Sequence, residues 1–312
     1  MTAAVYVNGR ITDARDASVP VFDHGFLYGE GVYETMRTYH RQPFLFDRHM
    51  RRLRQSAALM ELGVPYSDHE LLGRVESTVL AHDRQTPPER ASGARAQEPT
   101  KQGDEAGEKY IRMLLTRGVG ELSYRIDACP APTLVIIVKA LDLPPERSFR
   151  EGVKVALVSI RRNHPQALNP MIKSNNLLNN ALAMQEAYRR GADEALMLNQ
   201  AGEIVEGSQS NFFLVQNGAL RTPPLSAGLL PGITREFVLE LAAELRIPAS
   251  ETHLTPKDLE TADEAFLTGT TREITPVTAV DDRAIGRGVP GPITTHLLAT
   301  FRQRVADLVG TR

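Results

Sequence analysis

The segment MIKSNNLLNNALAMQEAYRRG, residues 171–191, combines one lysine and several asparagines with a regular apolar pattern. Its spacing predicts a helix over 173–190, with Lys173 in the first turn. The predicted apolar stripe consists of Leu177, Ala181, Met184 and Tyr188. A helix N-terminus and partial desolvation both favour the neutral amine, which is the nucleophilic form of lysine. The alternative is an ordinary surface lysine, but asparagines serve a helix poorly, so they favour a functional Lys173.

Two short stretches could bind phosphate. LLPGITRE places a glycine turn before a predicted helix that starts at Ile233 and Thr234, and free N–H groups at a helix start bind anions. FLTGTTRE places Thr270 and Thr271 after a predicted strand. With the arginine-rich RHMRRLR, these stretches indicate a phosphorylated ligand. The patterns GxGxxG after a strand and GxxxxGK[ST] are both absent from the sequence, which argues against a dinucleotide or a P-loop nucleotide.

A carboxylate could act in the same site as Lys173. Glu206, in VEGSQSNFF, follows an apolar strand pattern and precedes a Gly-Ser turn. It could simply cap the turn, but a carboxylate is also what keeps a pyridine nitrogen protonated. A lysine amine, an acid and phosphate donors together fit pyridoxal 5'-phosphate, with other ligands still open at this point.

Composition excludes several other classes of function. The formal net charge of −2 predicts neither nucleic-acid nor anionic-membrane binding. Cys129 is the single cysteine, so no internal disulfide can form, which fits a cytoplasmic location. No apolar segment reaches the length of a membrane span, the first residues lack the apolar core of a signal peptide, and no metal site is predicted.

The elements around these residues alternate between strand and helix patterns. AVYVNGRIT predicts a hairpin at Asn8-Gly9, and VYETMRTYHRQPFLF predicts a strand pair that turns near 40–43. Helices are predicted over 47–62 and 68–82. Further strands are predicted in KYIRMLLTRG, PTLVIIVKAL, VKVALVSI, EALMLN, SNFFLVQNGALRT and EAFLTGT, and helices in ITREFVLELAAELRI and over 293–309.

The domain prediction follows from composition shifts. Residues 84–109 are polar and rich in proline and glycine, which predicts a solvated, disordered insertion rather than a partner motif. LDLPPERSF predicts a linker over 141–149. The prediction is therefore an α/β (α+β) protein with a small N-terminal domain over 1–140 and a larger one over 150–312.

The motifs GEGVYETMRTY, HMRRL, YIRMLLTRG, IKSNNLLNNALA, EIVEGSQSNFF, LLPGITRE and LTGTTREITPV occur in this order. Together they resemble the class IV, fold-type IV aminotransferases that depend on pyridoxal phosphate. The resemblance covers nearly the whole chain except 84–109. It implies a two-domain fold in which the larger domain has a β-barrel-like core, and a homodimer or larger homo-oligomer.

By position, the resemblance implies roles in cofactor binding. Lys173 matches the catalytic lysine that forms the Schiff base and moves the proton, and Glu206 matches the acid at the pyridine nitrogen. The matched phosphate ligands are Arg52 in HMRRL, Ile233, Thr234 and Thr270. Arg161, in VSIRRN, matches an arginine near the phenolic oxygen of the cofactor, across a length difference before the lysine.

The substrate residues implied by the resemblance are Tyr28, Tyr33, Arg37, Tyr110, Arg112 and Thr271. The triplet YIR, residues 110–112, resembles the branched-chain enzymes. Tyrosine rings suit an apolar side chain, and Arg112 suits the distal carboxylate of glutamate. The alternative for Arg112 is a surface ion pair.

Two departures leave the substrate class open. Thr35 stands where the branched-chain enzymes usually have glycine, and Tyr33 and LLNNALAMQEA look more like the D-amino-acid enzymes. The R-x-H pair of those enzymes is missing, because VGELSYR follows TRG. We therefore expect a branched-chain-like transaminase that moves an amino group between an amino acid and a 2-oxo acid by a ping-pong mechanism through Lys173, with branched-chain L-amino acids and the pair 2-oxoglutarate and glutamate favoured. The alternatives are a D-amino-acid aminotransferase or (R)-selective amine transaminase, then an aminodeoxychorismate lyase, and last a nucleotide-binding module without activity.

Overall fold

The computed structural model describes residues 2–85 and 107–310. The chain forms two compact units. The first unit contains residues 1–142, 172–176 and 309–312, and the second contains 143–171 and 177–308. The short segment with Lys173 therefore belongs to the first unit, although the predicted boundary assigned it to the second domain. The predicted insertion over 84–109 lies largely outside the described residues.

The first unit is built on one six-stranded antiparallel sheet with the order β2-β1-β6-β5-β3-β4. Its strands are β1 (Ala3–Val7), β2 (Arg10–Asp13), β3 (Gly31–Tyr39), β4 (Gln42–Pro43), β5 (Lys109–Thr116) and β6 (Thr133–Ala140). Its helices are α1 (His24–Tyr28), α2 (Phe46–Ala58) and α3 (Asp68–Gln85).

Local sequence explains how this sheet is formed. Asn8 and Gly9 both have positive φ, 42° and 100°, as a two-residue hairpin turn requires, so the first hairpin prediction is confirmed. The second predicted hairpin also forms, with its turn at 40–41. One face of the sheet is covered by apolar residues of α2 and α3, among them Met50 and Leu71. Alternation along β3 and β5 therefore sends every second side chain to the opposite face.

The second unit contains a nine-stranded sheet. Its strands are β7 (Val153–Leu157), β8 (Glu194–Leu198), β9 (Ile204–Gly207), β10 (Asn211–Gln216), β11 (Ala219–Thr222), β12 (Ala249–Glu251), β13 (Glu264–Gly269), β14 (Glu273–Val280) and β15 (Arg283–Ala284). Its helices are α4 (Glu146–Arg150), α5 (Leu178–Arg189), α6 (Ile233–Glu244) and most of α7 (Pro292–Gly310).

Six of these strands close into a ring. The order β10-β13-β14-β7-β8-β9 returns to its start because β9 also pairs with β10 at Glu206 and Asn211. The apolar side chains of this ring, such as Phe212 and Leu267, fill one core. The expectation of an α/β fold with a barrel-like larger domain is confirmed. Among the described residues, none of the helices combines the length and apolar character that a membrane crossing requires.

Two helix predictions were wrong in detail. The helix predicted over 173–190 begins only at Leu178, and its buried residues are Ala183 and Ala187, so the predicted stripe is incorrect. Tyr188 is 78% exposed. Small alanines let this helix lie close to its sheet. The prediction failed because it placed larger apolar side chains, rather than these alanines, on the buried face. The helix predicted over 47–62 ends at Ala58, before its glycine.

Candidate functional site

Lys173 lies in an extended segment beside β3, not in a helix. The N–H of Tyr33 donates to the carbonyl of Lys173 at 2.9 Å, and the N–H of Asn175 donates to the carbonyl of Gly31 at 2.8 Å. The N–H of Lys173 donates to Oγ of Ser56 at 3.1 Å. The segment therefore joins the edge of the first unit through backbone hydrogen bonds. The prediction that Lys173 lies in the first turn of a helix was wrong, because the helix starts five residues later.

Gly31 explains how the lysine segment comes so close to β3. A Cβ atom at Gly31 would lie 2.6 Å from Nδ2 of Asn175 and 2.8 Å from the carbonyl of Leu115. Any side chain would push the segment away, so glycine is required here for close backbone approach. Oδ1 of Asn175 is buried and has no hydrogen-bond partner among the described residues.

The amine of Lys173 lies over an aromatic ring on the face of the sheet that α2 and α3 do not cover, here called the open face. Its Nζ atom is 4.6 Å from the ring centre of Tyr33, and the guanidinium of Arg112 is 4.1 Å from the same centre. The side chain of Lys173 is half-buried, and in the described part of the chain no carboxylate lies within 4.0 Å of Nζ. An amine without a fixed carboxylate partner is available to react with a carbonyl carbon.

The predicted substrate residues of β3 and β5 share this face. Thr35 pairs with Arg112, and Arg37 pairs with Tyr110, so their side chains lie on the same side as Tyr33. Arg37 itself is only 1% exposed. Its guanidinium stacks on the ring of Tyr39 at 3.9 Å.

Tyr28, on α1, is half-buried and lies in a different group of rings. Its ring centre is 5.0 Å from that of Tyr124 and 4.9 Å from that of His24. The structure thus brings Lys173, Tyr33 and Arg112 into direct contact, whereas Tyr28 makes none of these contacts.

Arg52 is bound by a buried carboxylate on the opposite face of the sheet. Its Nε and Nη2 atoms donate to the two oxygens of Glu34 at 2.8 Å and 2.7 Å. Nδ1 of His49 lies 2.7 Å from the same carboxylate. All three side chains are buried. Helical spacing on α2 places His49 and Arg52 on one side, where both reach β3.

These contacts determine the charge of the buried group. Burial alone would raise the pKa of Glu34, but the charge and hydrogen bonds of Arg52, with those of His49, lower it to about 2. Burial lowers the pKa of His49 and outweighs the attraction of Glu34. Glu34 is therefore an anion that fixes Arg52 by a bidentate contact. Glu34 was not among the predicted site residues, because it lies between Val32 and Met36 on the apolar face of β3.

Glu206, in the second unit, is a buried carboxylate with several N–H donors. Nε of Arg162 donates to its Oε1 at 2.7 Å, and Nδ2 of Asn211 donates to its Oε2 at 3.2 Å. The backbone N–H of Leu230 also donates to Oε2, at 3.1 Å. Three N–H donors suit the ionised carboxylate, which can accept up to about four hydrogen bonds.

Glu206 is contacted by Arg162, whereas the sequence predicts the neighbouring Arg161 near the phenolic oxygen of the cofactor. Arg161 is exposed, and its carbonyl accepts a hydrogen bond from Asn179 at 2.8 Å. Nη1 of Arg162 donates to Oδ1 of the same asparagine at 3.2 Å. Both arginines follow the end of β7, where no strand alternation indicates which one is buried. The role predicted for Arg161 stays a prediction.

The predicted phosphate residues of the second unit lie at the start of α6 and after β13. Ile233 and Thr234 are buried in the first turn of α6. A Cβ atom at Gly232 would lie 1.8 Å from Oδ1 of Asn211, so this helix start requires glycine. Nδ2 of Asn211 also donates to the carbonyl of Leu230 at 3.0 Å. Asn211 therefore links Glu206 to the helix start.

Thr270 and Thr271 are half-buried in the turn that follows β13. Thr268 precedes that turn, is 1% exposed, and its Oγ1 has no hydrogen-bond partner among the described residues. It pairs across the sheet with Asn211, so both side chains point to the same face. A hydroxyl that lacks a partner at this place favours a polar ligand.

The donors suit pyridoxal phosphate. The first unit offers an amine beside an aromatic ring, as a carbonyl carbon requires. The second unit offers an ionised acid for a ring nitrogen, and N–H and hydroxyl donors for a phosphate at a helix start. Glu34, Arg162 and Asn211 were missed by the sequence argument, because a buried polar partner has no distinct motif.

Comparison with known proteins gives a consistent result. A family model described as "Amino-transferase class IV" matches residues 31–280. A Methanocaldococcus jannaschii protein, provisionally named a branched-chain-amino-acid aminotransferase, is 39% identical over 96% of this chain and 95% of its own length. A D-alanine aminotransferase of Listeria monocytogenes is 32% identical, over 98% and 97% of the two chains. The crystal structure of a branched-chain aminotransferase from Thermoproteus uzoniensis with norvaline has a TM-score of 0.83 at 36% identity, covering 98% and 96% of the chains.

Proposed function

Since this chain belongs to the class IV aminotransferases, which depend on pyridoxal phosphate, we propose that Lys173 is its catalytic residue and that branched-chain L-amino acids and glutamate are its amino donors. The chain is an aminotransferase, and its substrates are amino acids and 2-oxo acids. The observation that carries the proposal is the Lys173 amine over the Tyr33 ring, next to Arg112.

Lys173 holds the cofactor and moves a proton in this proposal. When bound, pyridoxal phosphate withdraws electrons from the α-carbon of the amino acid, which acidifies its hydrogen. The Lys173 amine would hold the cofactor and, once displaced by the amine of the substrate, would act as the base that accepts this proton and as the acid that gives it back. Contact with the Tyr33 ring restricts the positions that the Lys173 amine can reach. The backbone hydrogen bonds of the segment fix the start of the side chain.

Glu206 would hold the pyridine nitrogen of the cofactor in its protonated form. Its anionic state is supported by Arg162, Asn211 and the N–H of Leu230. The contact with Arg162 also fixes the orientation of the Glu206 carboxylate. The phosphate would be bound by the N–H groups at the start of α6, with Thr234 and Thr270 as hydroxyl donors.

Two further arginines complete the proposed cofactor contacts. The guanidinium of Arg52 is the proposed phosphate cation of the first unit, and Glu34 orients it. Arg161 remains proposed near the phenolic oxygen, where its exposed side chain would have to turn inward.

The substrate assignment rests on the open face of the first sheet. Tyr33 and Tyr110 offer aromatic surface to an apolar side chain, with Tyr28 as a further ring. Arg112 shares the Tyr33 ring with the lysine amine, and a guanidinium there can bind the distal carboxylate of glutamate. Arg37, which is buried on the same face, is proposed to add positive charge near the bound substrate. Thr271 is proposed to bind the α-carboxylate.

A D-amino-acid aminotransferase is the second candidate. The 32% identity to the Listeria D-alanine enzyme and the presence of Tyr33 favour it. The aminodeoxychorismate lyase is a third candidate, because such a lyase of Bacillus subtilis is 30% identical over 98% of this chain. The (R)-amine transaminase and the nucleotide-binding module have no comparable observation. The deciding difference is which side of the cofactor receives the α-carboxylate.

A homodimer or larger homo-oligomer in the cytoplasm completes the proposal. An exposed apolar surface, here called the loop patch, supports self-association. Its two segments are joined by a hydrogen bond from the N–H of Gly120 to the carbonyl of Phe22, at 3.2 Å. Phe26 is 72% exposed in this patch. The loop patch consists of Val19, Val21, Phe22, Phe26, Val119, Leu122, Tyr124 and Ile126.

The test is a half-reaction of protein loaded with pyridoxal phosphate. The protein is mixed separately with L-leucine, L-glutamate, D-alanine, D-glutamate and (R)-1-phenylethylamine, while the absorbance of the lysine-bound cofactor is followed. Rapid loss with L-leucine and L-glutamate is expected. Rapid loss with the D-amino acids alone would replace the branched-chain assignment by the second candidate.

A further inference from the structure

Glu194, at the start of β8, is a fully buried carboxylate outside the proposed set of cofactor contacts. It is 0% exposed. Its Oε1 accepts hydrogen bonds from the N–H of Ser208, at 3.1 Å, and from the hydroxyl of Ser208. Oγ of Ser210 donates to Oε2 at 3.3 Å. Glu194 therefore fixes the turn 207–210, which directly follows Glu206.

The same carboxylate reaches a second turn. Nη2 of Arg272 lies 3.4 Å from Oε2 of Glu194. Arg272 ends the turn 269–272, which carries Thr270 and Thr271, and its N–H donates to the carbonyl of Gly269 at 3.1 Å. A Cβ atom at Gly269 would lie 3.4 Å from the carbonyl of Gln209, so the two turns are in contact.

Charge matters in this arrangement more than shape. A buried carboxylate loses much of its hydration, and burial is tolerated only where charged or hydrogen-bonding partners compensate. A neutral glutamine has one acceptor oxygen, which can serve the donors of Ser208 and the N–H of Ala195. Its amide nitrogen would replace Oε2, the oxygen that faces Ser210 and Arg272. Arg272 is the partner that requires the negative charge. Its side chain is 23% exposed, so the arginine is anchored to the protein but reaches the surface.

We propose that Glu194 and Arg272 form a positioning pair that holds the turn of Thr270 against the turn after Glu206, and thereby sets the affinity for the phosphate group of the cofactor. This inference rests on the proposed function, because it assumes that Thr270 donates to that phosphate. Glu194 acts through the two turns and is a positioning residue. The pair fixes the Thr270 hydroxyl before the ligand arrives, which lowers the ordering cost of binding.

The experiment compares two ligands that differ only in the phosphate. Dissociation constants of cofactor-free protein for pyridoxal phosphate and for pyridoxal are measured by equilibrium dialysis, for wild type, Glu194→Gln, Arg272→Gln and Arg272→Lys. Glu264→Gln is the matched control. Glu264 is also a buried carboxylate of the second unit, and it accepts N–H donors from Ile293 and Thr294 and the hydroxyl of Thr294.

The ratio of the two dissociation constants is the readout, because a general loss of structure weakens both ligands. We expect Glu194→Gln and Arg272→Gln each to reduce the preference for the phosphorylated ligand about tenfold, the effect of losing one charge-assisted hydrogen bond. Arg272→Lys should retain part of the preference. Glu264→Gln should lower the melting temperature and leave the ratio unchanged.

Other results overturn the inference. A wild-type ratio in both glutamine variants would mean that the pair only stabilises the fold. If Glu194→Gln fails to fold, Arg272→Gln decides, because its partly exposed side chain can be replaced without opening a cavity. A wild-type protein that binds neither compound refutes the proposed function itself, and a wild-type protein that binds both equally refutes the phosphate role of Thr270.

Discussion

The buried carboxylate of Glu34 gives a quantitative prediction for the Glu34→Gln substitution. In the folded protein its pKa is about 2, against an ordinary value of 4.5. At about 1.4 kcal/mol for each pH unit, this lowering contributes roughly 3.5 kcal/mol to folding at neutral pH. Removing the charge also leaves Arg52 buried without its bidentate partner, which costs about 3–5 kcal/mol in comparable cases. We therefore expect a loss of about 3 kcal/mol or more.

The pH dependence has a definite sign. Because the folded pKa of Glu34 is lowered, its stabilisation is complete above pH 4.5, declines as the pH falls, and is lost below about pH 2. By pH 3.5 the difference between wild type and Glu34→Gln should have shrunk by about 1.4 kcal/mol. Both proteins should also lose stability below pH 6.5, because burial lowers the pKa of His49 and the unfolded chain takes up that proton first.

Urea unfolding followed by tyrosine fluorescence measures this effect. The chain has no tryptophan, and seven of its eight tyrosines precede residue 143, so the signal reports the first unit. The matched control is the double variant Glu34→Leu with Arg52→Met, which removes both charges and should be more stable than Glu34→Gln. A loss below about 1 kcal/mol at pH 7, or a difference that does not change between pH 7 and pH 3.5, would refute the reasoning.

Two other substitutions test the open face and the lysine segment. Arg112→Gln should raise the KM for 2-oxoglutarate about tenfold or more, because one charged hydrogen-bond partner of the distal carboxylate is lost. The KM for leucine should change less. Steady-state kinetics with both substrates measure this difference, and equal effects on the two KM values would contradict the assignment. Gly31→Ala should destabilise the protein by about 1–3 kcal/mol, because the new Cβ would meet Asn175 and the Leu115 carbonyl. The control is Gly73→Ala within α3, where the new Cβ would meet nothing within 4 Å. In the same urea experiment we expect this variant to gain about 0.5–1 kcal/mol of stability. A similar loss of stability in both variants would contradict the explanation by close backbone approach.

Much of the fold was predictable because local chemistry determined it. The Asn8-Gly9 turn, the helix from Asp68 and the strand ending at Gly269 follow from turn residues and apolar periodicity. The apolar pattern around Lys173 was misleading, since its backbone partners are on β3, far away in the sequence. Periodicity carries no information on such long-range pairing.

The residues of the candidate site also fall into two groups, those that could be predicted from the sequence and those that could not. Lys173, Glu206 and Thr270 stand in motifs, so their types and order reveal them. Their supporting residues do not, because Glu194 stands in a strand pattern and Arg162 follows another arginine. Only the fold shows that these side chains are buried against the motif residues.

Chemical trapping of the cofactor on its lysine tests the central claim most directly. Protein loaded with pyridoxal phosphate is reduced with borohydride, digested and mapped by mass spectrometry, alongside the Lys173→Arg variant. The account predicts that the reduced cofactor is found on the peptide with Lys173, and that the variant carries none. A label on another lysine, or equal labelling of the variant, would contradict the account.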